Sequence, residues 1–296
     1  MSSNSQSNQL ALITCSYGPD LKRCERLCQA VDHFGDSAYE HVLIVPKRDL
    51  NKFSALKNDR RRVVSVESIV PDSFIQLPLS NKWWLGAWGV PTRGWVMQQI
   101  TKLSAGFATN AKTLMFVDSD LQFIRPLDLS LIEQSGRTRL HSIPGDMDYG
   151  IHLKWHEKAG ELLGCDTSYA GSDYVGQLIT WDRETLMAML SDISSQTGTI
   201  WTRAIARSLT VSEYILYGMY VTRVVGLNSS IHFETNKDLC HCCWDSESAQ
   251  AVSNGTANVD PSAIAVLIQS NLSFSSDEEA ALIEKASEIS NAKVGA

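Results

Sequence analysis

The 296-residue sequence contains no run near the ~18–20 uninterrupted apolar residues that cross a bilayer, so any membrane association is expected to be peripheral. Residues 1–9 hold no Lys or Arg and no apolar stretch. They read as a disordered tail, not a secretory leader. Positive charge is also in short supply: 26 Lys and Arg face 33 Asp and Glu, a net charge of −7. A surface that grips a nucleic-acid backbone needs the opposite balance. No nucleic-acid partner is therefore expected, although one nucleotide in a local pocket is compatible with this charge. The seven cysteines are odd in number and follow no leader, which fits reduced thiols and a cytoplasmic setting. On that reading the Asn-x-Ser/Thr triplets at Asn228, Asn254 and Asn271 are chance matches. There is no internal repeat. What is present is core material: 44% of residues are hydrophobic and 20% charged, which excludes wholesale disorder.

The apolar run at residues 10–14 breaks at Ser16-Tyr17-Gly18-Pro19-Asp20. Leu21, Cys24, Leu27, Cys28 and Val31 then recur at spacings of three and four, the period of a helix face. Pro and Asp stand at its start, where both are favoured. Residues 41–46 and 62–66 read as further strands. Strand, helix, strand at this spacing is a βαβ unit, so the fold class is α/β with a mainly parallel sheet flanked by helices. Residues 82–94, rich in Trp and Gly, read as a long loop and 95–108 as a helix. The buried strand 113–117 runs straight into Asp118. A strand is expected at 177–181, helices at 184–190, 201–209 and 212–220, and a strand at 221–227. From 246 to 260 periodicity fades into Ser, Asn and Gly, a linker before an amphipathic helix at 277–289. The expected organisation is a tail (1–9), a main domain (10–245) and a C-terminal linker and helix (246–296).

The sharpest chemical feature is Met115-Phe116-Val117-Asp118-Ser119-Asp120. Carboxylates two positions apart point the same way in extended chain. At the carboxyl end of a buried parallel strand they face the crevice where open α/β sheets take ligands. Carboxylate oxygens suit hard divalent ions, which also bind phosphate oxygens. The pattern points to metal-bridged binding of a nucleoside diphosphate; its structural alternative is an ordinary capping turn.

Asp118-Ser119-Asp120 after an apolar strand resembles the DxD motif of GT-A glycosyltransferases. Three further blocks resemble one bacterial family of that fold: Gly94-Trp95-Val96-Met97-Gln98-Gln99-Ile100-Thr101-Lys102-Leu103, Asp173-Tyr174-Val175-Gly176, and Ser212-Glu213-Tyr214-Ile215-Leu216-Tyr217-Gly218. The likeness runs from about residue 10 to 244 and implies a Rossmann-like GT-A fold. It implies that Thr14, Ser16 and Tyr17 seat the base and ribose, that Asp118 lies near the ribose or the metal, and that Asp120 is the main carboxylate ligand of Mn²⁺ or Mg²⁺. His232 would be a third ligand, with His241 and Asp245 as competitors and a buried structural histidine as the alternative. Lys102 would reach the diphosphate or be a solvated helix lysine. Gln98 and Gln99 would contact the donor sugar or pack. Ser172 and Asp173 would line the acceptor side. Glu213, at a helix start, would be the base of an inverting transfer, a contact to the acceptor or donor sugar in a retaining one, or a capping acid. The implied donor is a nucleoside-diphosphate sugar, UDP-linked on family frequency. The implied acceptor is a hydroxyl of a glycan, a lipid-linked glycan or a small glycoside, as in polysaccharide biosynthesis by hexosyltransferases.

Other features compete. Cys240-His241-Cys242-Cys243, with Cys24 and Cys28, would form a zinc site only if the two segments met; otherwise they are buried thiols. Trp83, Trp84 and Trp88 are candidates to stack on sugar faces, whereas Trp95 and Trp181 are assigned to the core. A haloacid-dehalogenase-type phosphotransferase also uses Asp-x-Asp, but after its first strand and followed by a hydroxyl residue, where this chain has Leu121-Gln122. A non-catalytic nucleotide-sugar or glycan binder is the remaining alternative.

Overall fold

The apolar run at the start of the chain becomes β1 (Leu10–Cys15), and its side chains alternate between two cores. Leu10 and Leu12 join Leu27 and Val31 of α1 (Leu21–Phe34), while Ala11 and Ile13 join Ile100 and Leu103 of α4 (Gly94–Leu103). The computed structural model describes residues 9–34, 39–78, 82–89, 91–145 and 149–294. Apart from Gln9, the tail expected over 1–9 lies outside the described residues.

Parallel strands β2 (Tyr39–Val45) and β3 (Arg61–Ser65) extend the sheet on one side of β1, with the short helices α2 (Leu50–Phe53) and α3 (Val66–Ile69) beside them. After β4 (Phe74–Gln76), β5 (Trp83–Gly86), β6 (Pro91–Arg93) and α4, the chain returns as β7 (Thr113–Phe116) on the other side of β1. The central order is β13-β7-β1-β2-β3, with β13 (Thr180–Asp182) the antiparallel edge strand. The architecture is therefore mixed α/β with a mainly parallel central sheet flanked by helices, as the βαβ pattern implies. Because β2 and β7 lie on opposite sides of β1, the connections diverge there. That opens a crevice at the carboxyl ends of β1 and β7.

Small sheets complete the fold. The strand β8 (Leu121–Phe123) follows the Asp-x-Asp segment. β9 (Glu133–Gln134) and β10 (Arg137–His141) join β14 (His232–Thr235), and β11 (Ile143–Pro144) pairs with β12 (Ser172–Asp173). Helices α5 (Gly150–Leu163), α6 (Arg183–Thr197), α7 (Trp201–Ala206) and α8 (Glu213–Met219) follow in turn. Asp182 caps α6 by accepting the Thr185 N–H at 2.8 Å.

Three expected elements differ. Residues 82–94 are not a loop: β5 pairs with β4 and β6, burying Trp84 and leaving Trp83 outward. The partner β4 lies outside the local window, so the pairing is invisible to local composition. The β-branched stretch at 221–227 is not a strand but a π-helical continuation of α8, Tyr220–Gly226. It is held by Thr222 Oγ1 donating to the Gly218 carbonyl (2.8 Å) and Arg223 to carbonyls of 166–169, so tertiary contacts override propensity. The segment expected to be a linker holds α9 (Ser246–Ser253), begun by an Asp245/Ser248 capping box. It leads to β16 (Ala265–Ile268), which lies between β15 (Cys240–Cys243) and β8. The C-terminal α10 (Ser276–Val294) is clamped to α1 by Glu279, which pairs with Arg23 and Arg26. Among the described residues no helix is long and apolar enough to cross a membrane.

Candidate functional site

Val117 donates its N–H to the Ile13 carbonyl at 2.9 Å, the last rung between β1 and β7. Beyond that rung both strands let go, and the turn Asp118-Ser119-Asp120 faces Ser16 and Tyr17 across the crevice. The Leu121 N–H closes the turn on the Asp118 carbonyl (3.1 Å), and the Ile268 N–H reaches the Asp120 carbonyl (3.4 Å). The resulting cleft has a volume of about 840 Å³. Ser16, Tyr17 and Asp20 line it after β1, Ile44 and Pro46 at β2, and Gln76 and Trp83 on the β4–β6 sheet. Trp95, Gln98 and Thr101 line it from α4, and Ser270 from the C-terminal segment.

Seven of the residues singled out from sequence meet here: Ser16, Tyr17, Trp83, Trp84, Gln98, Asp118 and Asp120. The Asp120 carboxyl is pushed up to about 6, first by burial, then by the Asp118 charge and more weakly by Asp20; the Ser270 backbone N–H pulls it back. Asp118 is compensated from behind. The buried Lys102 ammonium lies 3.3 Å from Asp118 Oδ1 and 3.3 Å from Glu213 Oε1, and donates to Tyr214 Oη at 2.8 Å. Burial alone would lower the Lys102 pKa; Asp118, Tyr214 and Glu213 outweigh it and hold it well above the ordinary lysine value.

Glu213 is 3% exposed and does not line the cleft. Its backbone N–H is capped by Gln99 Oε1 (3.1 Å), and burial raises its carboxyl while Lys102 opposes the shift. A base must come within hydrogen-bond reach of the proton it takes. In this structure Glu213 faces Lys102 and not the cleft, so the contact it shows is that of a carboxylate partner to the buried ammonium. Lys102 is likewise not a solvated lysine; its charge reaches the cleft through Asp118.

Other expected site residues lie elsewhere. Thr14 is buried, with Oγ1 3.0 Å from His41 Nε2. Burial, reinforced by Arg61, lowers His41 to about 3, so the ring is neutral. Because Arg61 Nε donates to its Nδ1 (3.1 Å), Nε2–H donates to Thr14 and the threonine hydroxyl is committed to the core. His232 is fully buried against Tyr217, its Nε2 2.8 Å from Tyr217 Oη, and does not line the cleft with Asp118 and Asp120. The structure thus gives the expected third metal ligand a structural place. Asp245 is occupied as the α9 cap, and His241 lies on β15. Ser172 and Asp173 form β12, where Asp173 is buried against His152. Cys24 and Cys28 pack with Phe53 and Val63, whereas Cys240 and Cys243 belong to other cores, so the two cysteine segments do not meet.

The aromatic assignments partly exchange places. Trp84 is buried and Trp88 packs edge-on against Phe74, leaving Trp83 as the loop-cluster member whose ring is open to the cleft. Trp95, assigned to the core, is 42% exposed and lines the cleft; Trp181 is core as expected. The signal for Trp95 was its spacing of three from Gln98 at a helix start, which puts both on one face. Nothing local marks Ser270, which arrives from 150 residues beyond Asp120.

The donor set fits a divalent cation. Three carboxylates, Asp20, Asp118 and Asp120, line one cleft, and Asp120 carries an elevated pKa that an added cation would relieve. Among the described residues no group of three or more His, Cys, Asp or Glu is placed to hold an ion. Ligand phosphates and water would have to complete the coordination, as is usual for Mg²⁺.

One family's sequence model, described as a family of unknown function (DUF6492), matches residues 9–291. No curated protein matches the sequence. Among solved structures, the chain is similar to the galactosyltransferase LgtC in complex with donor and acceptor sugar analogs, at 9% identity over 95% of each chain and a TM-score of 0.44. An active-site mutant of LgtC matches at 9% identity over 95% of each chain, with a TM-score of 0.43. The apo form of the glycosyltransferase GlyE of Streptococcus pneumoniae TIGR4 matches at 12% identity, covering 96% of this chain and 63% of that one, with a TM-score of 0.44. At such scores these likenesses carry no argument about activity.

Proposed function

The chain belongs to the DUF6492 family, and we propose from its own site that it is a glycosyltransferase, moving a sugar from a nucleoside-diphosphate donor to a hydroxyl acceptor. The observation that carries this reading is the pair Asp118 and Asp120 at the carboxyl end of β7, where the strand order diverges, in a cleft large enough for a nucleotide sugar. Asp118 and Asp120 would hold Mn²⁺ or Mg²⁺. When bound, that ion supplies positive charge for the diphosphate leaving group.

The chain's own residues do the rest. Tyr17, Ile44 and Pro46 form a wall suited to a base, with uracil the first to test, and Trp83 and Trp95 offer aromatic faces to a sugar. Lys102 fixes the Asp118 carboxylate, and Glu213, Tyr214 and the Gln99 cap fix Lys102. Such a preorganised charge network needs no rearrangement during reaction. The acceptor class is a glycan, lipid-linked glycan or small glycoside.

The test is a thermal-shift and calorimetric titration with UDP, GDP, CDP and CMP, each with and without Mn²⁺. Stabilisation by one nucleotide only in the presence of metal is the expected outcome. A folded protein that responds to none of them would overturn the reading.

A further inference from the structure

The small sheet β4–β6 has one face turned into the molecule and one left open. Side chains alternate along each strand, and the register puts cross-strand partners on the same side. Phe74, Trp84 and Thr92 form the inner side and are at most 4% exposed. Ile75, Trp83, Leu85, Pro91 and Arg93 form the other. Ile75 is 67% exposed and Trp83 39%, Pro91 and Arg93 are exposed, and Leu85 is half-buried. Apolar residues scattered singly over a surface are ordinary, but four on one sheet face mark a contact surface.

The charge around this face has one sign. Between Asp72 and Asp118 the sequence holds no acid and four bases, Lys82, Arg93, Lys102 and Lys112, in a chain of net charge −7. Lys102 is buried against Asp118 and Glu213, and Lys112 faces Glu133 at 3.9 Å. Lys82 and Arg93 stand exposed where β5 begins and β6 ends. The Arg93 guanidinium lies 6.0 Å from the centre of the Trp83 ring and, among the described residues, joins no ion pair. Asp72, the nearest acid along the chain, accepts from the Ser73 N–H (3.0 Å) and the Thr202 hydroxyl (3.3 Å). Indole and aliphatic side chains beside cations suit the boundary of a bilayer, where the apolar groups enter between headgroups and the cations meet lipid phosphate. Anionic lipid adds roughly a fivefold gain in binding per basic side chain near the surface.

We propose that this face docks on the surface of a bilayer containing anionic phospholipid. Lys82, Trp83 and Arg93 also line the cleft, so the docked face brings the mouth of the cleft to the headgroup layer. Of the acceptor classes, the lipid-linked glycan is the one this contact delivers, a consequence that rests on the glycosyl-transfer reading.

The experiment is vesicle flotation of the full-length protein, as wild type and as the variants Ile75→Glu and Arg93→Gln. The vesicles are phosphatidylcholine alone, or phosphatidylcholine with one-third phosphatidylglycerol. Wild type is expected to float with the anionic vesicles at low salt, to be released by high salt, and to stay behind with phosphatidylcholine alone. Arg93→Gln should bind about fivefold more weakly. Ile75→Glu should lose at least about tenfold. It should keep the wild-type melting temperature and nucleotide response, because the side chain is exposed and outside the cleft. Wild type that stays behind with anionic vesicles, or Ile75→Glu that floats as well as wild type, overturns the proposal. If Ile75→Glu does not fold, undiminished binding of Arg93→Gln overturns it. So does a dimer, seen by analytical ultracentrifugation, that Ile75→Glu dissociates, because a second copy of the chain would then cover the face. Flotation needs no turnover: vesicle binding without any nucleotide response removes the donor reading and leaves the docking intact. Release of nucleoside diphosphate from UDP-glucose and UDP-galactose is then compared between p-nitrophenyl glycosides in solution and dodecyl glycosides in the anionic vesicles. Faster release with the vesicle-borne set is expected, and release no faster than with the soluble set overturns the acceptor consequence alone.

Discussion

Replacing Lys102 by Met keeps most of the side-chain volume and deletes the buried cation that faces both Glu213 and Asp118. Asp118 opens onto the cleft and can turn to water. Glu213 cannot, because its carboxylate is almost fully enclosed beside Tyr214. Breaking a buried ion pair from one side costs about 3–5 kcal/mol, whereas replacing both partners by neutral groups is close to neutral. Lys102→Met should therefore lower stability by about 3–5 kcal/mol, roughly 10 °C in Tm for a chain of this size. Lys102→Met/Glu213→Gln should recover at least about 2 kcal/mol of that loss. The pH dependence has a definite sign. Burial holds the Glu213 carboxyl above its ordinary 4.5, and without Lys102 it rises further. A raised acid favours folding when protonated, so the deficit of Lys102→Met is small below pH 4.5 and grows as pH rises through the native-state value. Urea denaturation of the single and double variants between pH 4 and 8 measures all of this. A single variant within 1 kcal/mol of wild type at pH 7.5, or a double variant no better than the single, would refute the reasoning.

The raised Asp120 carboxyl makes a second stability claim. Its shift from 3.8 to about 6 means that metal-free protein loses stability as pH rises across that interval. Asp120→Asn should thus stabilise the protein in EDTA by about 1–2 kcal/mol at pH 7.5, after allowance for partial exposure, and by nothing at pH 3.8. The same variant should lose Mn²⁺-dependent stabilisation by nucleotide; differential calorimetry at the two pH values checks both. In the core, a Cβ on Gly218 would clash with the Tyr174 ring. Gly218→Ala should cost about 1–3 kcal/mol by overpacking, and a denaturation midpoint unchanged from wild type would contradict the packing described.

How much of the site was legible follows from where each residue's partners lie. Asp118 and Asp120 could be found because the whole signal is local: an apolar strand and two acids two residues apart. Ser16 and Tyr17 were reachable because they follow the end of β1, and Gln98 because its block resembles a known family. His232 and Thr14 were misplaced because a side chain's direction at a sheet's end depends on what packs behind it, Tyr217 in one case and His41 in the other. Asp173 is marked by its sequence block, but its partner His152 is not, since 21 residues separate the pair.

The sequence by itself determined the α/β class, the parallel strands around β1 and the position of the acidic turn, because strand alternation and helix period are short-range properties that burial enforces locally. Tertiary structure alone decided that Glu213 would face Lys102, that Trp95 would stand exposed at the cleft while Trp84 is buried beside it, and that the C-terminal segment would bring Ser270 to Asp120. Those outcomes depend on which distant surfaces share a core and on where a buried charge finds its counter-ion. Neither is written into any window short enough to read along the chain.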